Sequence, residues 1–142
     1  MERFKLIASL YLFLIRDDKI LLMRRFQTGY EDGNYGLPSG HLEDNESAIE
    51  GLIREVKEEI GVRIKASDLQ LVHIKHRREK DTRIDLFYTA KKYYGNIMNA
   101  EPEKCDEVKW FKLGKLPKNI IPYVKNALEC YLKGIIYSEV GW

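Results

Sequence analysis

A chain of 142 residues has room for a single domain, residues 1–142, whose core needs no disulfide staples. With 44% hydrophobic and 32% charged residues it has the balance of a folded globular protein, which argues against a disordered chain. A net charge of +2 is too small to argue for a nucleic-acid polymer or a membrane surface as partner.

Residues 6–15 are an apolar run behind Arg3 and Lys5, the outline of a signal peptide. The run is too short to span a bilayer and no small-residue cleavage site follows, so a soluble, cytoplasmic protein is expected. Arg16-Asp17-Asp18-Lys19 is a polar turn, and a second apolar run starts at Ile20. Two such runs around a tight turn predict a β-hairpin. Arg24 and Arg25 end its second strand, and strand alternation sends one of them to solvent. Residues 33–43 hold glycines and Pro38, a loop with sharp turns and close backbone approach. Ser47-Ala48-Ile49-Glu50 reads as a capping box, and Ile49, Leu52, Ile53, Val56 and Ile60 recur at helical period up to Gly61, a C-cap glycine.

Beyond that helix, residues 62–65 read as a short strand and residues 69–76 and 83–91 as two longer ones. Arg77-Arg78-Glu79-Lys80-Asp81 fits the turn between them. A further strand is expected at residues 108–113. Pro117 and Pro122 mark a loop before a last helix over residues 123–133, where Val124, Ala127, Leu128, Tyr131 and Leu132 keep helical spacing. Strands, helix, strands, helix predict an α/β fold with a mixed β-sheet between helices, an α/β/α sandwich. Cys105 and Cys130 form neither a CxxC pair nor a zinc spacing and read as reduced structural residues.

The first helix carries the chemistry. Glu55, Glu58 and Glu59 are related by three and four residues, so they share one face, opposite much of the apolar stripe. Like charges at that spacing cost about 0.2–0.5 kcal/mol per pair on an exposed helix. A hard divalent cation reverses the sign, because it takes carboxylate oxygens together with water and phosphate oxygens. The plain alternative is a solvated face with Glu50–Arg54 and Arg54–Glu58 ion pairs.

Gly40, Glu46, Arg54, Glu55, Val56, Glu58, Glu59, Gly61 and Val62 fit G-x5-E-x7-R-E-U-x-E-E-x-G-U, with U a bulky aliphatic, at every specified position. This resembles the signature box of the Nudix hydrolases. The resemblance covers residues 40–62 closely and residues 10–116 loosely. It implies the same sandwich fold and metal-dependent cleavage of a phosphoanhydride bond in a nucleoside diphosphate linked to another group. By the same resemblance Glu55, Glu58 and Glu59 are metal ligands together with the backbone carbonyl of Ser39, and Mg²⁺ is the cofactor, with Mn²⁺ as a substitute. Arg54 and Glu46 match positions that orient the catalytic carboxylate. Glu55 matches a candidate general base of MutT-type members, and Glu58 stands beside it among the candidate catalytic carboxylates. Ser39 and Asn45 stand where many members have glycine.

A late carboxylate often joins such sites. Glu103 is the choice here, from the proline-stiffened segment 100–107, with Glu101 and Glu107 open. Lys104, Arg24 and Arg25 are candidates for phosphate, and His41 for substrate. Tyr11, Phe26, Tyr30, Tyr35, Phe87 and Tyr88 are candidates for a base slot or for the core. Likeness to MutT-type sequences favours a nucleoside triphosphate, plain or oxidised, cut to monophosphate and pyrophosphate. No nucleic-acid polymer is expected as substrate, and the oligomeric state is open, a homodimer included. The alternative function is a non-catalytic nucleotide-binding sensor or interaction module on the same fold.

Overall fold

The computed structural model describes all residues, 1–142. In chain order they form β1 (Ile7–Phe13), β2 (Ile15–Arg16), β3 (Lys19–Arg25), β4 (Tyr35–Gly36), β5 (Ser39–His41) and α1 (Ala48–Ile60). A single 3-10 turn (Ala66–Asp68) leads to β6 (Leu69–Arg78), β7 (Thr82–Ala90), β8 (Cys105–Lys112), α2 (Pro122–Leu132) and β9 (Tyr137–Val140).

The apolar run through β1 is continuous because both faces of that strand are covered. Leu10, Leu12 and, just past the strand, Leu14 pack with Leu52, Val56 and Ile60 of α1. Tyr11 and Phe13 point the other way and pack with Val124, Ala127 and Leu128 of α2. β3 is divided in the same manner, Leu21 and Met23 on the α1 side and Ile20 and Leu22 on the α2 side. One helix on each face gives the expected sandwich.

The strands form two sheets. One runs β5-β1-β7-β6-β9, with β1–β7 and β6–β9 parallel and the other pairs antiparallel. In the other, β3 pairs antiparallel with β2, β4 and β8. The expected hairpin is therefore only partly present. Asp17 and Asp18 make its tight turn with positive φ, but only Ile15–Arg16 pairs with Lys19–Ile20 across it. The longer first run, β1, belongs to the other sheet.

Two further expectations are corrected. Residues 62–65 make a single bridge, Arg63 to Tyr94, rather than a strand. Arg77 and Arg78 belong to β6 and pair with Arg83 and Thr82, so the turn is shorter than the charge run. β9 was not foreseen. It docks on β6 through Ser138, whose Oγ lies 2.8 Å from His73 Nε2 and accepts from Lys75 Nζ at 2.9 Å. His73 Nδ1 must donate to the Ile135 carbonyl at 2.8 Å, which leaves Nε2 as acceptor for the Ser138 hydroxyl in the neutral ring. No helix is long and apolar enough to cross a membrane.

Candidate active site

The loop before α1 is held by the β1–β5 ladder. Leu12 N–H donates to the Pro38 carbonyl and Leu42 N–H to that of Ala8, at 3.0 and 2.9 Å. In an antiparallel pair these bonds alternate, so the N–H and C=O of Ser39 point away from β1. The Ser39 N–H is given to Glu59 Oε1 at 2.7 Å. A Cβ on Gly40 would fall on the carboxyl group of Glu55, which is the physical reason for a glycine there. Asn45 has φ +65°, a left-handed conformation that asparagine tolerates.

The helix itself starts and stops as expected. Ser47 Oγ accepts from Glu50 N, Glu50 Oε1 accepts from Ser47 N, and Gly61 ends the helix at φ 76°. Glu50 is committed to that cap, so Arg54 is free for other carboxylates. Arg54 Nε and Nη2 donate to Glu46 at 3.0 and 2.8 Å, and Nη1 donates to Glu55 at 2.8 Å and to Glu58 at 3.4 Å. The Arg54 bonds and the Glu43 N–H hold the Glu46 carboxyl down at about 2.

The three helix carboxylates are not equivalent. Glu58 is half-exposed, with 50% of its side chain accessible. Glu55 is largely covered, and burial raises its pKa against the opposing pull of Arg54. Glu59 keeps some exposed surface, yet its carboxyl is surrounded by protein. Burial, opposed by the Ser39 N–H and reinforced by Glu55 and Glu101, pushes it up to about 8. All three share the face the sequence predicts and line the cleft, with Glu59 at its floor.

These groups line a cleft of about 590 Å³. Glu101 lines it; Glu103 is exposed and lies outside. The chain folds back at this point, with Lys104 N–H and Cys105 N–H both donating to the Glu101 carbonyl, at 2.9 and 3.1 Å, and Glu103 sits on the outside of that turn. Glu46 braces Arg54 from behind and does not line the cleft. Arg24 and Arg25 both line it, contrary to alternation, because the β3–β8 register shifts between them. Of the candidate aromatics, Tyr11 and Tyr30 line the cleft, Tyr35, Phe87 and Tyr88 are buried in the core, and Phe26 lies at the surface. Lys104 and His41 also line the cleft. Cys105 and Cys130 are buried free thiols.

The sequence reading missed Arg77, Glu79 and Tyr123 as lining residues. A signal for Arg77 existed. His73, Lys75 and Arg77 alternate along β6 and all three are buried, so this strand turns its polar face inward. The acid that makes this tolerable is Asp85 on β7, itself fully buried and 2.7 Å from Arg77 Nε.

As they stand, no three His, Cys, Asp or Glu side chains are gathered closely enough to hold an ion. Arg54 draws Glu55 aside and the Ser39 amide holds Glu59. The donor chemistry nevertheless fits a hard divalent cation: carboxylate oxygens on one helical turn, one of them a buried acid without a cationic partner, and a carbonyl directed off the ladder.

The chain matches the NUDIX domain family over residues 5–131. It is 32% identical over 111 residues to the NAD-capped RNA hydrolase NudC of Pseudomonas putida, covering 77% of this chain and 37% of that protein. It is 31% identical over 104 residues to the ADP-ribose pyrophosphatase of Methanocaldococcus jannaschii, covering 72% of this chain and 60% of that protein. The chain therefore spans less than two thirds of these curated relatives. Among solved structures, a MutT NUDIX hydrolase from Burkholderia pseudomallei superposes with TM-score 0.80 at 26% identity, covering 88% of this chain and 97% of that one. The E. coli ORF135 protein superposes at 0.75 with 20% identity, over 91% and 90% of the two chains, a likeness of fold. With the box intact and the family matched along most of its length, the chain belongs to the Nudix hydrolase family.

Proposed function

We propose that the protein hydrolyses a phosphoanhydride bond in a nucleoside diphosphate linked to another group. The observation that carries this reading is the Glu55–Glu58–Glu59 turn in one cleft with the Ser39 backbone, braced by Arg54 and Glu46. A degenerate binding module on this fold has no need for such a brace. Glu55, Glu58, Glu59 and the Ser39 carbonyl would hold a divalent cation, Mg²⁺ or Mn²⁺ in its place. When bound, such a cation supplies charge neutralisation at the phosphates and a more acidic water.

The chain's own residues do the rest. Arg54 fixes the orientation of Glu55 and keeps Glu46 ionised behind it. Glu55, with its pKa raised by burial, accepts the proton of the attacking water. Glu101 adds negative charge beside Glu55 and Glu59 and takes the place assigned in sequence to Glu103. Lys104 and Arg25 line the same cleft and meet phosphate oxygens. No Ser or Cys nucleophile is paired with a base in the cleft, so water attacks phosphorus directly, without a covalent enzyme intermediate.

Within this class, a nucleoside triphosphate cut between its α and β phosphates remains a substrate to test. The names of the relatives favour ADP-linked compounds instead: an ADP-ribose pyrophosphatase, an NAD-capped RNA hydrolase, and the E. coli ADP compounds hydrolase NudE, 28% identical over 98 residues. The test is a screen of ADP-ribose, NAD and nucleoside triphosphates with Mg²⁺ and with Mn²⁺, with products resolved by chromatography. A nucleoside monophosphate as primary product supports cleavage next to the α phosphate; inorganic phosphate alone, which reports cleavage of a terminal phosphate, contradicts it. Tight binding with no cleavage of any diphosphate moves the protein to the sensor reading.

A further inference from the structure

The cleft has a second end with different chemistry. β6 lies three positions from β5 in the sheet, about 14 Å at ordinary strand spacing. At its end, Arg77 is buried in the floor with its guanidinium 3.8 Å from the Tyr123 ring centroid, and Nε lies 2.7 Å from Asp85. Arg77 Nη1 donates to Glu79 Oε1 at 2.8 Å. From the opposite loop, Tyr30 donates its hydroxyl to the same carboxylate, 3.0 and 3.1 Å from the two oxygens. The Glu79 side chain is nevertheless 40% exposed. It is a carboxylate braced from two sides, with acceptor capacity left on Oε2.

The aromatic rings here are poorly placed to stack a base. Tyr11 stacks on Phe87 at 4.6 Å, Tyr123 carries Arg77, and the ring of Tyr30 has Arg25 at 5.5 Å. Beside the Arg77 guanidinium, this end offers the cleft tyrosine hydroxyls and a carboxylate. An oriented carboxylate is the group that takes sugar hydroxyls, as with the ribose of dinucleotides.

We infer that Glu79, held by Arg77 and Tyr30, is a specificity-determining residue that accepts hydrogen bonds from a vicinal diol of a sugar on the substrate. The sugar is either the nucleoside's own ribose or a second sugar on the distal phosphate. This rests on the hydrolase reading above.

The test compares ATP, dATP and ADP-ribose as substrates of the wild-type protein, Glu79→Ala and Tyr30→Phe, with thermal melts to verify folding. The wild type favours ATP over dATP if the nucleoside ribose is read, or ADP-ribose over ATP if the second sugar is read, by at least about tenfold in kcat/KM. Glu79→Ala removes that preference, mainly through KM, and Tyr30→Phe, which leaves the carboxylate but loosens it, reduces it about threefold. Equal use of all three compounds by the wild type, or a preference that survives Glu79→Ala undiminished, overturns the assignment. If the wild type cleaves none of them, calorimetric binding of the same compounds with Mg²⁺ makes the same comparison, while the hydrolase reading stands or falls by the wider screen above. Should Glu79→Ala not fold, Glu79→Gln and Tyr30→Phe carry the test.

Discussion

Arg54 gives its guanidinium entirely to carboxylates, Glu46 on one edge and Glu55 and Glu58 on the other. Replacing it with alanine should lower kcat about 10–100-fold, the usual cost of losing a group that orients a metal-site residue, with little change in KM. Steady-state kinetics on the best substrate decides this; unchanged kcat with a raised KM would make Arg54 a substrate contact. Gly40→Ala should be as harmful, at about 100-fold in kcat/KM, because the new methyl displaces the Glu55 carboxyl. Full activity in that variant would show that the position of Glu55 is unimportant.

Glu46 makes the pH prediction. Its folded pKa is depressed from 4.5 to about 2. Its contribution to stability is therefore complete above about 4.5 and is lost as pH falls through about 2. Urea unfolding of the wild type and Glu46→Gln should differ by a constant amount at higher pH, and the difference should shrink on acidification. A difference that grows on acidification contradicts the ion pair. The box was legible in sequence because one helical turn fixes the spacing of its acids whatever else the fold does. Glu101 was not, because the choice between it and Glu103 depends on how a loop folds back on its own carbonyl.

At the scale of elements, α1 was readable to within its caps, since its stripe, capping box and terminal glycine agree. β9 was not readable. Its four residues have one partly covered side chain, Ser138, and so no alternation to detect. Its docking is nevertheless specific, because Ser138 serves both His73 and the fully buried Lys75. Ser138→Ala should cost about 1–3 kcal/mol in urea unfolding, the penalty for leaving buried polar groups short of a partner. A variant as stable as the wild type would mean that water replaces the hydroxyl freely. The β3 bulge shows the same limit: a single shift in register turns both Arg24 and Arg25 to the cleft, and nothing in the local residues announces it.

At the scale of the molecule, two strands buried on both faces carry the architecture, and their unbroken apolar runs were visible in sequence. The division into two sheets was not, because pairing partners lie far apart in the chain: β1 with β7, and β3 with β8. That division sets β5 and the C-terminal half of α1 beside one end of the cleft and the β6–β7 hairpin beside the other. The acidic end is where the proposed hydrolysis stands or falls. The decisive measurement is the turnover of Glu59→Gln on the best substrate at saturating Mg²⁺, with the fold checked by circular dichroism. A loss of at least about 100-fold with the fold retained is expected from the charge stabilisation that a bound metal supplies. Full wild-type turnover in Glu59→Gln would contradict the assignment of this carboxylate cluster as the metal site.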